Sequence, residues 1–578
     1  MSFRAILHCS FSYRFAVVVL VFIFIVSMHL VLRCHNISLD DLRNHVAALP
    51  DDETDEHDVD GDNRSLTVCD DGLVIVGVPF GSAQFKRDFL HQQVEEWSLQ
   101  LVCLDHLSST QYKSLLFRWC ILSKATFLMR NVSPSVAHSA WQAWDNILKT
   151  FISQSLLGGV GEFSDHALLQ LQLPVGKGGF GFNIPSMHAP AAYLAGFSLG
   201  LQSRGDSWDP EIWDAPYQIF QDVLIAYSCH RHFCEASALL PSQFSVDWFA
   251  LNKVDQRQLA QEVHGRIFNL YQQFAPEIDK SRLRSLSDPN GHAGDWLLVT
   301  PTEARLRLAN EEFRFASKLR LGLPIAHLPD RCPCSHRNHD SQTDLGLGCH
   351  SLTCRHRRLT WFIPRHNWVL STWSRIFKAA GFSFDEEPQG LFAGCRPDDE
   401  VDNGDEADDD DADPHKKNKL RPDHQVFDFA GRTLLTDVSM VFPGGAPRGR
   451  YVDAGAHRES RKIQKYGDAI LALELGHLFR PLVVDCFGRW GKHAVSVMNT
   501  CASHCLHGKK FSCSRFFKRH HWRLLSVTIM KALCHQCVHY QNNLPDLGTD
   551  AAAIVVDVDA LARARLAEPP EDDVSDLQ

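Results

Sequence analysis

The sequence predicts an α+β chain of several domains, and three observations carry that expectation. Its 578 residues leave room for roughly two to four domains of about 150 residues each. Helical periodicity runs through 83–156, where Phe89, Val94, Trp97, Leu101 and Leu104 share one face. Short apolar runs further on, LLTDVSMVF (434–442) and FRPLVVDCFGRWG (479–491), read instead as strands with a following turn. A hydrophobic content of 44% with 10% aromatics supports genuine cores and excludes a chain disordered throughout.

The N-terminal stretch 15–32 (FAVVVLVFIFIVSMHLVL) carries no formal charge and follows Arg4 and Arg14. A transmembrane helix needs about 20 such residues, so the stretch is a membrane-anchor candidate with its basic side cytoplasmic. Its Val, Ile and Phe equally suit a buried strand-forming segment. Residues 36–71 are polar and acidic and read as a linker. Three N-x-S sequons (Asn36, Asn63, Asn131) matter only if the chain enters the secretory pathway. GLVIVGVPFGS (72–82) predicts an apolar strand ending in a Gly-Pro-Gly turn. A second helical stretch over 112–156 meets a stop signal at Leu157, Gly158 and Gly159. LPVGKGGFG (173–181) breaks regular structure ahead of an Ala-rich helix at 189–202, and 208–330 reads as mostly helical.

The net charge of −11 misleads, because 398–413 alone holds 11 acidic side chains and no basic one. The remainder is neutral, with basic residues clustered at 355–365 and 509–523. An acidic run beside basic patches fits a nucleic-acid protein with a solvated acidic insert, and equally an acidic loop without a partner. Eighteen cysteines in a chain of this length do not form a small disulfide framework. Their CxC, CxxC and CxxxC spacings, mixed with 31 histidines, point to reduced thiols of which some ligate metal.

The clearest metal pattern is Cys332, Cys334, His350 and Cys354, a C-x-C-x15-H-x3-C spacing. Two short pairs of soft N/S donors satisfy the tetrahedron that zinc prefers, with Cys349 and His356 as alternative ligands. Arg355, Arg357 and Arg358 flank the pattern and suit phosphate contacts, or simply an exposed basic face. Cys501, Cys505, Cys513, Cys534 and Cys537 are spaced too irregularly for a second zinc site to be the leading reading.

VPFGS (78–82), FLHQQVEEW (89–97) and LPVGKGGFGFNIP (173–185) together resemble the region after the polymerase palm in non-LTR-type reverse transcriptases. In that family a G-x-P-x-G-S turn precedes a helical thumb and a glycine-rich loop closes it. The polymerase itself is not expected: two metal-binding aspartates belong after an aromatic residue, and the nearest candidate is only Cys69-Asp70-Asp71. The same family places a CCHC knuckle downstream, ahead of the triplet found here as Arg365, His366 and Asn367.

Beyond it come Glu387-Pro388, Arg421-Pro422-Asp423, Asp437 after 13 residues, and Glu459-x-x-Lys462-x-x-Lys465-Tyr466. That order resembles the restriction-like endonuclease of early-branching non-LTR retrotransposons. A second Arg-Pro-Asp at 396–398 stands too far from Asp437 to match as well. The resemblance implies that Asp423 and Asp437 hold catalytic Mg²⁺ and that Lys462 or Lys465 assists the attacking water, with Glu459 a further candidate. It also implies that DNA and RNA are partners, contacted through Arg355, Arg357, Arg358, Arg365 and His366, and that the knuckle's Zn²⁺ is structural.

The chain is thus expected to comprise a hydrophobic segment (1–35), a linker (36–71), a palm-end and thumb-like region (72–205), a helical connector (206–330), a zinc knuckle (331–367), an α/β restriction-endonuclease-like core (368–500) and a basic Cys/His-rich helical region with an acidic tail (501–578). The retrotransposon resemblance implies a nuclear or cytoplasmic protein; the alternative is a membrane protein with a single N-terminal span. The alternative to a nicking enzyme is a catalytically dead remnant that still binds nucleic acid.

Overall fold

A computed structural model of the chain describes residues 71–159, 163–204, 226, 255–325, 349–354, 361–392, 420–443, 453–472, 476–505 and 513–543. The membrane-anchor candidate at 15–32, the linker up to residue 70, the acidic insert at 398–413 and the tail after 545 lie outside these residues. Among the described residues no helix is long and apolar enough to cross a membrane. The architecture is mixed α+β and mostly helical, with two small sheets.

The run at 72–82 is not one strand but a hairpin of β1 (Gly72–Ile75) and β2 (Val78–Gly81), paired antiparallel through Ile75 and Val78. Its two-residue turn places Val76 at φ 52° and Gly77 at φ 78°. Such a turn matches the strand twist only with both central residues left-handed, which glycine tolerates and a β-branched valine resists. Helix α1 (Ala83–Asp105) follows, started by the Ser82 hydroxyl accepting from the Phe85 N–H. Its buried stripe is Leu90, Val94, Trp97, Leu101 and Leu104, so Leu90 takes the inward place the periodicity gave to Phe89.

Helices α2 (Thr110–Leu116), α3 (Leu122–Asn131) and α4 (Pro134–Phe151) continue the helical layer. Single π-turns, Phe117–Ile121 and Ile152–Leu156, interrupt it, and the second ends at Gly158 and Gly159, both with positive φ. Trp97, Trp141 and Trp144 pack ring on ring across α1 and α4, with centroids 6.5 and 5.4 Å apart.

After α5 (Asp165–Gln172), the glycine-rich loop folds against α8 (Glu277–Leu286) and α9 (Asn310–Leu321); α6 (Pro185–Arg204) and α7 (Gln256–Phe274) pack alongside. Two buried arginines hold the loop. Arg320 donates to the carbonyls of Val175 (2.8 Å) and Gly179 (3.2 Å), and Gln170 donates to that of Gly178 (2.9 Å). Arg282 ion-pairs with Asp279 and donates to the Arg320 and Leu321 carbonyls, both at 3.0 Å. A Cβ at Gly179 would run into the carbonyl oxygens of Leu173 and Gln170, which explains a glycine there without any phosphate to cradle.

The second sheet has the order β3 (Phe384–Glu386), β4 (His424–Phe429), β5 (Arg432–Val441) and β6 (Leu478–Asp485). The first two pairings are antiparallel, whereas β5 and β6 run parallel from Leu434↔Leu478 to Val441↔Asp485. Helix α12 (Ala454–Ala472) makes the crossover between them, as a parallel pair requires. Leu434 and Val438 point into the large core, while Leu435 packs with Tyr466, Ala469 and Phe479 under α12. That alternation is the strand period of two.

Behind the sheet lie α11 (Phe362–Ala380), α13 (Lys492–His504) and α14 (Ser514–Asn542); the short α10 (Cys349–Thr353) rests on α14. One hydrophobic cluster runs from Leu90 to Cys537, so segments expected to be separate domains share a core.

Buried carboxylates give this core a pH signature. Burial raises Asp485 to about 6, against the lowering effects of Ser285 and the N–H groups of Phe487 and Arg489. Burial likewise raises Asp145 to about 6. Both folded values exceed the unfolded value of about 3.9, so between the two the native state binds more protons. Their stabilisation is fully present below about pH 4 and is lost as pH rises through 6. Denaturant titrations of the parent and of Asp485→Asn at pH 4.5 and 6.5 are expected to show the asparagine variant gaining stability relative to the parent at the higher pH; a difference that does not change with pH removes Asp485 from this role.

Candidate metal centre

The residues that the endonuclease resemblance singled out meet at the β4–β5 pair and α12. The Asp423 N–H donates to the Thr436 carbonyl at 2.8 Å, extending the His424↔Thr436 pairing by one residue. Asp423 thereby stands opposite Asp437, which lies mid-strand in β5. The α12 face of β5 carries Leu435, Asp437 and Ser439, and Tyr466, Lys462 and Arg458 answer them at helical i, i+4 spacing. Lys462 Nζ lies 3.0 Å from Asp437 Oδ1 and 3.2 Å from Oδ2. The Tyr466 hydroxyl, with one proton to give, sits 2.7 Å from Asp437 Oδ2 and 2.8 Å from the Arg421 carbonyl. Arg458 Nε donates to Ser439 Oγ at 2.9 Å.

Asp423 is fixed from the other side. Its Oδ2 accepts the Val438 N–H and lies 3.1 Å from His366 Nε2, so α11 reaches the same carboxylate. Burial and the charge of Asp437 push the Asp423 carboxyl above the ordinary aspartate range, against the pull of His366. Burial would lower His366, but its hydrogen bond to Asp423 and the Asp423 charge overcome this and raise it to about 9. The shared proton rests on the imidazole, whose side chain is 29% exposed against 13% for Asp423 and is therefore the better solvated. The Arg421 side chain turns away to ion-pair with Glu387, whose N–H in turn donates to the Asp423 carbonyl at 2.8 Å.

No family model and no curated protein matches this chain.

The remaining sequence candidates scatter. Lys465 is exposed, whereas Lys462 is buried on Asp437. Glu459 is buried elsewhere, accepting the His493 N–H at 3.2 Å at the start of α13, where helix N-termini favour anions. Burial raises its carboxyl, opposed by that N–H and by Lys492. Arg365 is buried too: it donates to Gln536 Oε1 at 2.7 Å and tilts over the Phe362 ring, tying α11 to α14 rather than facing solvent. His350 lies in α10 and Cys354 just beyond its end; both are buried, and the His350 ring is 5.9 Å from that of Tyr540 in α14. Their expected partners Cys332 and Cys334, and Arg355, Arg357 and Arg358, lie outside the described residues. Among the described residues no group of three His, Cys, Asp or Glu side chains could hold a metal ion. Burial pushes the thiols of Cys501, Cys534 and Cys537 upward, Cys537 to about 11, so these are neutral core thiols.

The i, i+4 run Arg458, Lys462, Tyr466 was readable from sequence as one helix face, and it would have separated Lys462 from Lys465. The buried, neutral His424, bonded at 2.9 Å to both Ser374 and Thr436, gave no local signal. Burial lowers it to about 3.

Two carboxylates suit a hard cation such as Mg²⁺, which needs only one or two carboxylates with water and phosphate. Burial and, to a lesser degree, the charge of Asp437 raise Asp423, and a divalent cation would offset both.

Proposed function

We propose that this chain is a retrotransposon-derived, reverse transcriptase-like protein that binds nucleic acid and nicks DNA by Mg²⁺-dependent phosphodiester hydrolysis. The observation that carries the reading is Asp423 set opposite Asp437 with the Lys462 ammonium on the second carboxylate. On this reading Asp423 and Asp437 hold the cation, which supplies Lewis-acid activation of the scissile phosphate. Lys462 holds the attacking water or a phosphate oxygen through its Nζ protons, and Tyr466 keeps Asp437 oriented. His366, bonded to Asp423, fixes that carboxylate from behind. The helical layer over 72–205 is the thumb-like part, and the 368–500 segment the endonuclease-like core.

One observation favours the non-catalytic reading: each carboxylate already faces a cationic side chain, Asp437 with Lys462 and Asp423 with His366. Relaxation of supercoiled plasmid by the purified full chain distinguishes the two. Nicking that needs Mg²⁺, stops with chelator and is lost in Asp423→Asn supports the enzyme; equal behaviour of both proteins leaves the binding remnant. For the knuckle, elemental analysis is expected to find about one zinc per chain, lowered by Cys334→Ser. Less than stoichiometric zinc, unchanged in the variant, overturns that assignment.

A further inference from the structure

The N-terminal half of α14 breaks the rules that stabilise helices. Residues 509–523 (KKFSCSRFFKRHHWR) contain six Lys or Arg and no acid. Helix α14 begins at Ser514 with no side-chain cap and no acidic residue in its first turn. Cations there meet the positive end of the helix dipole, the unfavourable end for them. Arg515, Arg519 and Arg523 also follow one another at i, i+4, where like charges repel.

Nothing described neutralises the outer part of this stripe. Arg515 and Arg519 are exposed and make no ion pair among the described residues. Asp295 faces Arg523, but it is also bonded to His292 at 3.0 Å. Lys518 leans sideways, donating to Asn499 of α13 at 3.3 Å. Phe516 is 53% exposed, and the Arg519 guanidinium sits 5.9 Å from its ring centroid. A ring spent on holding a surface guanidinium in place contributes little to folding and much to presenting that charge. The three arginines span about 12 Å at the helical rise of 1.5 Å per residue, a length that meets several backbone phosphates.

We propose that the Arg515–Arg519–Arg523 face of α14 is a docking surface for the phosphate backbone of a nucleic-acid duplex. It rests on the nucleic-acid-binding part of the reading above but not on cleavage, and it is separate from Asp423 and Asp437. The surface reads charge and not sequence, and a local penalty in helix stability is tolerated because the bound backbone offsets it.

The test is fluorescence anisotropy of the full chain with a labelled 30-base-pair duplex, in chelator, over 50 to 300 mM salt. Arg515→Gln/Arg519→Gln is expected to weaken binding about tenfold and to lower the slope of log K against log salt by about 2. Arg515→Glu/Arg519→Glu is expected to weaken binding further while raising the melting temperature, since it removes the repulsion and places acids near the helix start. An unchanged salt slope overturns the proposal, whatever happens to affinity. Loss of binding to phosphatidylserine vesicles with duplex binding intact overturns it in favour of a membrane surface. Because cleavage is suppressed, equal nicking by Asp423→Asn and the parent in a separate Mg²⁺ assay, or none by either, with duplex binding intact, would strike the nuclease reading and leave this one standing.

Discussion

Asp437→Ala is expected to lower the unfolding free energy by about 3–5 kcal/mol, the usual penalty for removing one member of a buried ion pair. The side chains of Asp437 and Lys462 are 8% and 10% exposed, so solvent screens their attraction little. Without the carboxylate, the Lys462 ammonium stays buried at the sheet and the Tyr466 hydroxyl loses its 2.7 Å acceptor. Replacing both partners by apolar residues of similar volume, Asp437→Leu with Lys462→Met, is expected to recover most of the loss, because a buried pair contributes little net stability over a well-packed apolar one. Urea denaturation of the three proteins checks both statements. A single variant within about 1 kcal/mol of the parent, or a double variant as weak as the single, contradicts the pairing.

Arg282→Ala is expected to be comparably severe, again about 3–5 kcal/mol, for a different reason. This guanidinium serves five partners at once: Asp279, Gln170, the Tyr271 hydroxyl, and the Arg320 and Leu321 carbonyls. Its removal leaves Asp279 buried with the His166 ring at 2.9 Å, and it unties the carbonyls at the end of α9. Burial and the nearby Arg118 lower Arg320, the other arginine on this loop, to about 9. Limited proteolysis is expected to show cleavage in 173–181 in the variant before global unfolding. Parent-like stability and protease resistance would remove Arg282 from this role.

Much of the secondary structure was legible because local pattern and tertiary need agreed. LLTDVSMVF alternates Leu435, Asp437 and Ser439 outward from Leu434 and Val438, and β5 follows that alternation. The RESRKIQKY run became part of α12, and the Gly158–Gly159 stop fell where α4 and its π-turn end. The hairpin at 72–82 was hidden because its turn uses Val76 in a left-handed conformation, in place of the Asn or Asp that signals such turns.

The candidate site was legible in residue types more than in roles. Asp423, Asp437 and Lys462 come together, but Glu459 leaves for α13 and Arg365 for α14, destinations set by helices far along the chain. His366 shows the same limit. As one member of Arg-His-Asn it reads as a phosphate contact, and only the packing of α11 beside β5 reveals it on Asp423. Contacts between residues 57 positions apart leave no trace in local periodicity.

The most direct measurement is the nicking rate of supercoiled plasmid by the full chain and by Asp437→Asn at equal concentration in Mg²⁺, with melting temperatures recorded for both. The asparagine keeps the shape of the side chain and the hydrogen bond from Tyr466 but not the charge that holds a cation. Mg²⁺-dependent nicking by the parent and a loss of at least about a hundredfold in a folded variant are expected. Equal rates in the two folded proteins, or no nicking by the parent at any Mg²⁺ concentration, would contradict the nuclease reading.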